Sequence, residues 1–292
     1  MLAHAVAAAL GLYQVTVRDH SATPVVSGSN AAGHGKAPTG CISFNPSFIA
    51  SSPTFNRSGV LLRMCCGDSC VGHGRRQLAS SPSFPPGSAE RIGFAPCELE
   101  SGVCGDVDPD FNLDPTADTE DPRAFYHDEF YYLFYYSKAS GGPPCAGPQC
   151  TVRLAKTQTP LVASSWKVLA TLPWHRNGCC MPKPKGEKTY CLWGEGQPAS
   201  TGGPSPFPGL GISYTTDLDG GSFVQEEWSV ATGVDSPLSP DGRWLLPLAR
   251  PEQNEVKLEA GTHPQRLSTG DWIHFYAAAT PGWVAHGNYT AG

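Results

Sequence analysis

The fold is decided by residues 120–137, where Glu120-Asp121-Pro122-Arg123 is followed by Ala124-Phe125-Tyr126-His127-Asp128-Glu129 and then by Phe130-Tyr131-Tyr132-Leu133-Phe134-Tyr135-Tyr136-Ser137. Two short apolar runs rich in aromatic residues stand on either side of a polar turn. β-Branched and aromatic residues are favoured in strands, and a polar turn between two such runs is typical of a hairpin. The stretch therefore predicts a β-hairpin.

An acidic pair and an arginine stand at the open end of this hairpin. A carboxylic acid at a strand start, with an arginine two residues later and aromatic rings behind it, is suited to cleaving a sugar. It supplies a proton donor, an orienting cation and a stacking surface. The alternative is an exposed turn with a surface salt bridge, which would contribute little to stability.

Composition favours many short strands joined by turns. A chain of 292 residues can bury a sizeable core, as one large all-β domain or two smaller ones. Glycine (33) and proline (28) are well above their usual share, while 10% of the residues are aromatic and 40% hydrophobic. This balance argues against disorder and against long helices. A formal net charge of -6 gives no electrostatic reason to expect nucleic acid as a partner.

Eleven cysteines are many for a protein of a reducing compartment. Cys97 with Cys104, and Cys145 with Cys150, each bracket a short loop containing Gly or Pro, which a disulfide can close. Zinc is the competing interpretation, but no Cys-x2-Cys pair has a matching second pair. We therefore expect disulfides and no metal site. The odd count leaves at least one thiol free or paired outside this chain.

Several features are compatible with a secretory route. Asn56-Arg57-Ser58 and Asn288-Tyr289-Thr290 are glycosylation sequons. The alanine-rich stretch Met1–Tyr13 suits a signal sequence, or equally an N-terminal helix or strand packed on the domain. No apolar run approaches the ~18 residues that a membrane span needs. We expect a secreted glycoprotein, or one in the lumen of the secretory pathway, with no membrane span.

A hairpin unit recurs along the chain. Turns near residues 57, 128, 187 and 270 follow one another at roughly 60 to 80 residues, and each is joined to a strand with aromatic residues. A four-stranded antiparallel unit repeated at such intervals is typical of a β-propeller. A β-sandwich also consists of short strands, but it would not place the same unit at each interval. We predict an N-terminal lead-in, signal or linker segment over residues 1–40, mobile from residue 14, and a β-propeller over residues 41–292.

Taken together, the motifs resemble the five-bladed β-propeller glycosidases of the β-mannoside phosphorylase and β-1,2-mannosidase family, glycoside hydrolase family 130. The resemblance runs from Phe44 to the C-terminus and depends on the order and spacing of segments that are weak individually. It implies an all-β, five-bladed propeller. Four blades are recognisable and the fifth is incomplete, unless the N-terminal segment closes the ring. The matching segments are Phe44–Phe48, Leu61–Arg63, Glu120–Arg123, Gly178–Lys183, Glu259–Pro264 and Gly270–Tyr276.

The resemblance implies roles for four residues. The aspartate of the Glu-Asp-x-Arg motif is the general acid in that family, and it falls on Asp121. Asn45 and Arg63 match positions that hold the sugar whose bond is broken, and Arg123 would help to hold the same subsite. Related invertase-like propellers place a catalytic aspartate where this chain has Asn45. An amide cannot act as a nucleophile, which counts against a retaining mechanism.

The family contains both phosphorylases and hydrolases. Arg176 falls near its phosphate-binding lysine, so inorganic phosphate would be the co-substrate of a phosphorylase. Glu195 and Glu259 instead stand at strand ends from which family hydrolases present glutamates to water. Two carboxylates would repel phosphate, so we favour inverting hydrolysis of β-mannosides, with Asp121 as acid roughly 6.5 to 9.5 Å from a glutamate base. A third alternative is a propeller that binds oligosaccharides without catalysis.

Other side chains suit substrate contacts. His175 and His263 flank the predicted site strands and would bond either a substrate hydroxyl or a backbone carbonyl. We expect Arg266 at the surface. We expect no cofactor, with inorganic phosphate as co-substrate only if the protein is a phosphorylase. Aromatic residues in propeller strands more often belong to the core, but four of them are candidates for stacking on sugar. These are Trp193, Trp272, Tyr276 and Trp283.

Overall fold

A computed structural model describes residues 26–27, 35–38, 41–66, 90–98, 103–139, 150–172, 177–193, 209–225, 244–247, 257–261, 263–274, 276–279 and 290–291. Regular structure in these ranges is β-strand, apart from one 3-10 turn at Ala163–Ser165. The expected all-β class is confirmed for these residues, and the ring of five blades stays a prediction. None of the described segments forms a helix long and apolar enough to cross a membrane.

Two short strands, β1 (Val26–Ser27) and β2 (Gly35–Lys36), form a parallel pair ahead of Cys41. The Val107 amide donates to the Lys36 carbonyl at 2.9 Å, and Ala37 is buried against Cys41 and Cys66. Part of the expected lead-in therefore packs on the domain.

The first large sheet is a four-stranded antiparallel meander. It consists of β3 (Cys41–Ile49), β4 (Gly59–Cys66), β5 (Glu90–Glu98) and β6 (Val103–Cys104), in that spatial order. Every residue of β4 is buried, as its apolar sequence requires of an inner strand. The β3–β4 turn contains a bridge between Ser52 and Phe55, close to the predicted turn.

The second sheet repeats the same order. Its strands are β7 (Ala117–His127), β8 (Phe130–Ala139), β9 (Cys150–Thr157) and β10 (Lys167–Leu172). The strands β7 and β8 form the hairpin predicted over residues 120–137, which is confirmed. Asp128 and Glu129 make its turn with φ of 45° and 67°, a region that Asp tolerates better than most residues.

The remaining strands form smaller sheets. A third sheet contains β11 (Cys179–Met181), β12 (Thr189–Trp193), β13 (Gly209–Thr215) and β14 (Val224–Gln225), and β15 (Trp244–Pro247) also pairs with β13. Beyond it lie β16 (Lys257–Ala260), β17 (Gln265–Arg266), β18 (Trp272–Ile273), β19 (Tyr276–Ala279) and β20 (Thr290–Ala291). The hairpins β11–β12 and β17–β18 confirm the turns predicted near residues 187 and 270.

The strand β8 is apolar on both faces, which places its sheet between two cores. Successive side chains of a strand point to opposite faces. Tyr131, Leu133 and Tyr135 pack in a cluster with residues of the first sheet, such as Leu61 and Ile92. The alternate residues Tyr132, Phe134 and Tyr136 pack in a cluster with residues of the third sheet. The aromatic run is therefore uninterrupted because both faces are buried.

Three disulfides join directly paired positions of neighbouring strands: Cys41–Cys66, Cys97–Cys104 and Cys180–Cys191. The Cys97–Cys104 bond confirms a pairing predicted from spacing. Cys145 lies outside the described residues, so its pairing with Cys150 stays a prediction. Cys179 is a buried free thiol, and burial raises its pKa to about 12 although the charge of Arg123 opposes the shift.

Two hydroxyl groups fasten β7 to the first sheet. The Ala124 amide donates to Ser47 Oγ at 2.7 Å, joining β7 to β3. The Ile92 amide donates to Thr119 Oγ1 at 2.9 Å, joining β5 to β7. The first strands of the two large sheets are thus held side by side, which fixes the position of whatever side chains they carry.

We expect Ser47→Ala to destabilise the fold. The change leaves the buried Ala124 amide without its acceptor, and such a group costs about 1–3 kcal/mol. Chemical denaturation would show a lower midpoint for this variant than for Ser51→Ala, which alters an exposed hydroxyl in the same loop region. Equal midpoints for the two variants would contradict the anchoring role.

Candidate active site

The strands β3 and β7 carry the same irregularity. Pairing is interrupted by a bulge at Asn45-Pro46 in β3 and by one at Asp121-Pro122 in β7. Asn45 has φ of 49° and Asp121 has φ of 51°, in the left-handed region that Asn and Asp enter most readily among non-glycine residues. A bulge re-aims side chains and is common beside active sites. Both side chains are thereby turned out of the normal alternation.

The two bulges bring Asn45 and Asp121 into contact. Asn45 Nδ2 donates to Asp121 Oδ1 at 2.6 Å, and Arg63 Nη1 donates to the same oxygen at 3.1 Å. Asp121 is only 5% exposed. Three residues that the family resemblance singled out, from β3, β4 and β7, therefore meet at one carboxylate.

A buried ion cluster lies behind this carboxylate. Arg63 Nη2 contacts Glu90 Oε1 at 2.7 Å and Glu120 Oε2 at 2.8 Å. Lys138 Nζ reaches the other oxygens of the same two glutamates, at 2.8 Å and 2.9 Å. Among the described side chains, the cluster thus contains three carboxylates, counting Asp121, and two cations. Each of these two cations contacts more than one carboxylate, so the charges of the cluster are tightly coupled.

The pKa shifts reflect strong coupling in the cluster. Burial alone would raise the pKa of Glu90, but the hydrogen bond with Glu120 and the charge of Arg63 outweigh it and hold that pKa well below its usual range. Burial opposes the charge on Arg63, yet the carboxylates of Asp121, Glu120 and Glu90 raise its pKa above the ordinary value. The guanidinium is therefore a fixed positive charge beside Asp121.

A cavity of about 600 Å³ adjoins the two bulges. Its volume is in the range of small-ligand pockets. Its lining includes Pro46 and Arg123, which lie in or next to the bulges, and residues of β17–β18 and just before β17. The lining residues are Pro46, Ser47, Phe48, Ala50, Arg123, Ala124, Phe125, Tyr126, Tyr131, Pro182, His263, Pro264, Gln265, Arg266 and Trp272.

Arg123 is a buried cation on the cavity wall. It is 7% exposed, and its Nη1 donates to the Pro122 carbonyl at 2.8 Å. Its Nε has no hydrogen-bond partner, and no carboxylate within the described ranges pairs with it. A buried guanidinium without an acidic partner is costly, so its position suits a ligand contact.

His263 is a neutral ring that also lines the cavity. It stacks on Phe125 with ring centroids 4.6 Å apart and planes 4° from parallel, and its Nδ1 has no hydrogen-bond partner among the described residues. Burial lowers the pKa of His263 to about 3, and His274 contributes to the shift. The ring can therefore exchange hydrogen bonds with a ligand without carrying charge at neutral pH.

We expect His263 to make the protein sensitive to acid. Because its folded pKa lies below that of an unfolded histidine, near 6.5, protons bind the unfolded state preferentially between these values. Stability should fall as the pH decreases from about 6.5 towards 3, by up to about 1.4 kcal/mol per pH unit from this residue. His263→Phe keeps the stack and should flatten that part of the stability profile.

The measurement is the free energy of unfolding of both proteins between pH 7.5 and 4. Trp272→Phe, a change in the same cavity that removes no titrating group, serves as the control and should parallel the wild type. Parallel profiles for wild type and His263→Phe would contradict the assignment.

The structure corrects the expectation for Trp193. This residue is 1% exposed, its Nε1 donates to Ser213 Oγ at 2.7 Å, and its ring meets Phe134 edge-on. It belongs to the core between the second and third sheets and presents no face to a sugar. Trp272 is partly exposed and lines the cavity, as a stacking residue must.

Several predicted site residues lie outside the described residues. These are His175, Arg176, Glu195 and Trp283. Only the backbone is described for Glu259 and Tyr276, which lie on the paired strands β16 and β19. The strand β16 packs beside β12 and β13 of the third sheet. The roles of all six residues stay predictions.

Sequence reasoning missed Asn177, Glu90 and Lys138. Asn177 lies just ahead of β11, has φ of 59° and is 4% exposed; neither polar atom of its side chain has a hydrogen-bond partner among the described residues. Its likeness to Asn45 and Asp121, each a left-handed Asx residue in or before the first strand of a sheet, is visible only in the structure. Glu90 and Lys138 could have been found because each is a charged residue at the end of a buried strand, and a buried charged residue needs a partner.

Comparison with known proteins adds structural neighbours only. No family model matches the chain, and no curated protein matches it. A glycosyl hydrolase from Bacteroides ovatus is similar with a TM-score of 0.49 and 14% identity, over 81% of this chain and 60% of that one. A family 117 glycoside hydrolase from the marine bacterium Zobellia galactanivorans is similar with a TM-score of 0.46 and 13% identity, over 92% of this chain and 73% of that one.

A third neighbour comes from glycoside hydrolase family 130, described as mannoside phosphorylases that include glycoside hydrolases targeting β-1,2 mannosidic linkages in Candida mannan. Its TM-score is 0.47 and its identity 13%, over 81% of this chain and 60% of that one. The neighbours thus include the family that the motifs resemble. The chain spans about three fifths of the Bacteroides ovatus and family 130 structures. Function therefore has to be argued from the site.

Proposed function

We propose that the chain is an inverting glycoside hydrolase of β-mannosides or related oligosaccharides, with Asp121 as the general acid. One observation carries the proposal: the Asp121 carboxylate is buried at a left-handed bulge and bonded by Asn45 and Arg63. Asp121 is not itself a lining residue, but Arg123, two residues further along the same strand, lines a cavity of about 600 Å³. A carboxyl group fixed beside a ligand-sized hollow is what proton donation to a glycosidic oxygen requires.

The surroundings of Asp121 suit both states of a general acid. Before cleavage, the carboxylates of Glu90 and Glu120, which contact the same arginine as Asp121, disfavour a further negative charge beside them. Once the proton has passed to the leaving oxygen, Asn45 and Arg63 already face Oδ1 and stabilise the carboxylate that forms. Donors fixed before the reaction need no reorganisation during it.

The water nucleophile needs a base on the opposite face of the sugar. Glu195 and Glu259 are the candidates, and an inverting mechanism places such a base roughly 6.5 to 9.5 Å from the acid. The cavity wall supplies substrate contacts of the expected kinds. Trp272 offers an apolar face to a sugar ring, and neutral His263 offers ring nitrogens to hydroxyl groups.

Replacing Asp121 by Asn should abolish turnover while keeping the fold. Asn retains the size of the side chain and tolerates the left-handed backbone, but it has no acidic proton, so we expect a loss of about 10²–10⁴-fold in kcat. Release of reducing sugar from β-1,2-mannobiose and related mannosides measures it. Asp128→Asn, at an exposed left-handed turn position, is the matched control. Equal activity in the two variants would remove Asp121 from the mechanism.

A phosphorylase of the same fold is the second candidate. It is favoured by Arg123 and Arg266, which line the cavity and have no carboxylate partner among the described residues. A phosphorylase would require inorganic phosphate and release a sugar 1-phosphate, whereas the hydrolase should turn over at the same rate without phosphate. Assays with and without phosphate, with product analysis, distinguish the two.

A location in the secretory pathway or outside the cell fits the same chain. Three disulfides stand in the described part, and such bonds persist in oxidising compartments. Asn56 of the first sequon is exposed beside the β3–β4 turn, where an oligosaccharide can be attached.

A further inference from the structure

The described lining of the cavity is positively charged. It includes two arginines, Arg123 and Arg266, and no Asp or Glu. His263 adds no charge at neutral pH because burial holds its pKa at about 3. The acidic cluster that contains Asp121 lies behind the bulges, where Arg63 and Lys138 already contact it.

Of the two lining arginines, Arg123 is the stronger evidence for a bound anion. A guanidinium that is 7% exposed and lacks an acidic partner within the described ranges loses hydration without gaining an ion pair. An oxyanion in the cavity would supply the missing partner. Arginine suits this role because its planar donors match the two oxygens of a carboxylate or sulfate.

The rest of the lining indicates that the anion is attached to a larger molecule. The volume of about 600 Å³ is typical of sites for complete small ligands, well beyond the needs of one free ion. Tyr126 and Trp272 contribute aromatic surface, which a sugar ring uses and a free phosphate does not. Phe48, half exposed at the edge of the cavity, extends this apolar surface outward.

We infer that the cavity binds an acidic glycan, whose carboxylate or sulfate lies between Arg123 and Arg266 while its sugar ring contacts Trp272. The inference rests on the proposed function and narrows the substrate class from mannosides in general to those that carry a negative charge. The same oxyanion chemistry would also accept free inorganic phosphate, so the two sources have to be separated by experiment.

The test compares two disaccharides that differ only in the substituent at C6 of each ring. β-1,4-Linked mannobiose carries CH₂OH at C6, and β-1,4-linked dimannuronate carries a carboxylate there. Calorimetric titration of Asp121→Asn protein keeps both probes uncleaved. We expect the acidic disaccharide to bind about tenfold or more tightly than the neutral one, with a preference that declines as salt is added.

Variants of the two lining arginines show which residues cause the preference. Arg266→Gln alters an exposed residue, so the fold should survive, and it should reduce the preference several-fold. Arg123→Gln should abolish the preference, and Arg123→Lys should restore part of it because the charge is kept. Arg57→Gln, an exposed arginine in the β3–β4 turn, is the control and should leave the preference unchanged. An unchanged preference in Arg266→Gln would contradict the assignment even if the Arg123 variants do not fold.

The possible results distinguish an acidic glycan from a free anion as the ligand of the cavity. Equal affinity for the two disaccharides, or no binding of the acidic one at millimolar concentration, overturns the inference. Inorganic phosphate that binds with no acidic-sugar preference identifies a free-ion site and also overturns it. If the protein hydrolyses neutral mannosides and does not bind the acidic disaccharide more tightly than the neutral one, the proposed hydrolase stands and the acidic substrate is excluded. If the acidic disaccharide binds more tightly but neither disaccharide is hydrolysed, this inference stands and the proposed hydrolase function is excluded.

Discussion

The contacts of Arg63 with three carboxylates are the constraint on which the rest of the structure depends. Charges taken out of water cost several kcal/mol each unless they are fully paired. Arg63 and Glu90 belong to the first sheet, whereas Glu120, Asp121 and Lys138 belong to the second. The charges are paired only when the two sheets lie side by side, so the interactions that place Asp121 also fix the packing of the sheets.

Much of the fold could be predicted because its signals are local. The aromatic run of β8 shows no alternation of polar and apolar residues, as expected of a strand buried on both faces. Which sheet each face contacts could not be predicted. The burial of Trp193 is an example, because its ring occupies space that only a glycine at position 178 leaves open: a Cβ there would lie 2.3 Å from it. That contact joins positions whose partnership no local pattern reveals.

The site was predictable only in part. Asn45, Arg63 and Asp121 were found through motifs, and they meet at one carboxylate. The left-handed backbone of Asn45 and Asp121 was not foreseeable, since a residue before proline normally prefers an extended conformation. Glu90 and Lys138 were missed because their ion pair joins strands of different sheets, so each residue read alone looked like an ordinary strand end.

The matching bulges explain why Asn45 suits a site with a single acid. The side chains of Asn45 and Asp121 are 2.6 Å apart, so two carboxylates at these positions would repel each other and one would be forced to keep a proton. An amide instead donates a hydrogen bond and orients Asp121 without competing for its proton. In the proposed mechanism, Asp121 is then the only one of these two residues that can transfer a proton, and the base comes from elsewhere in the chain. An inverting mechanism has the same requirement, because acid and base act on opposite faces of the sugar.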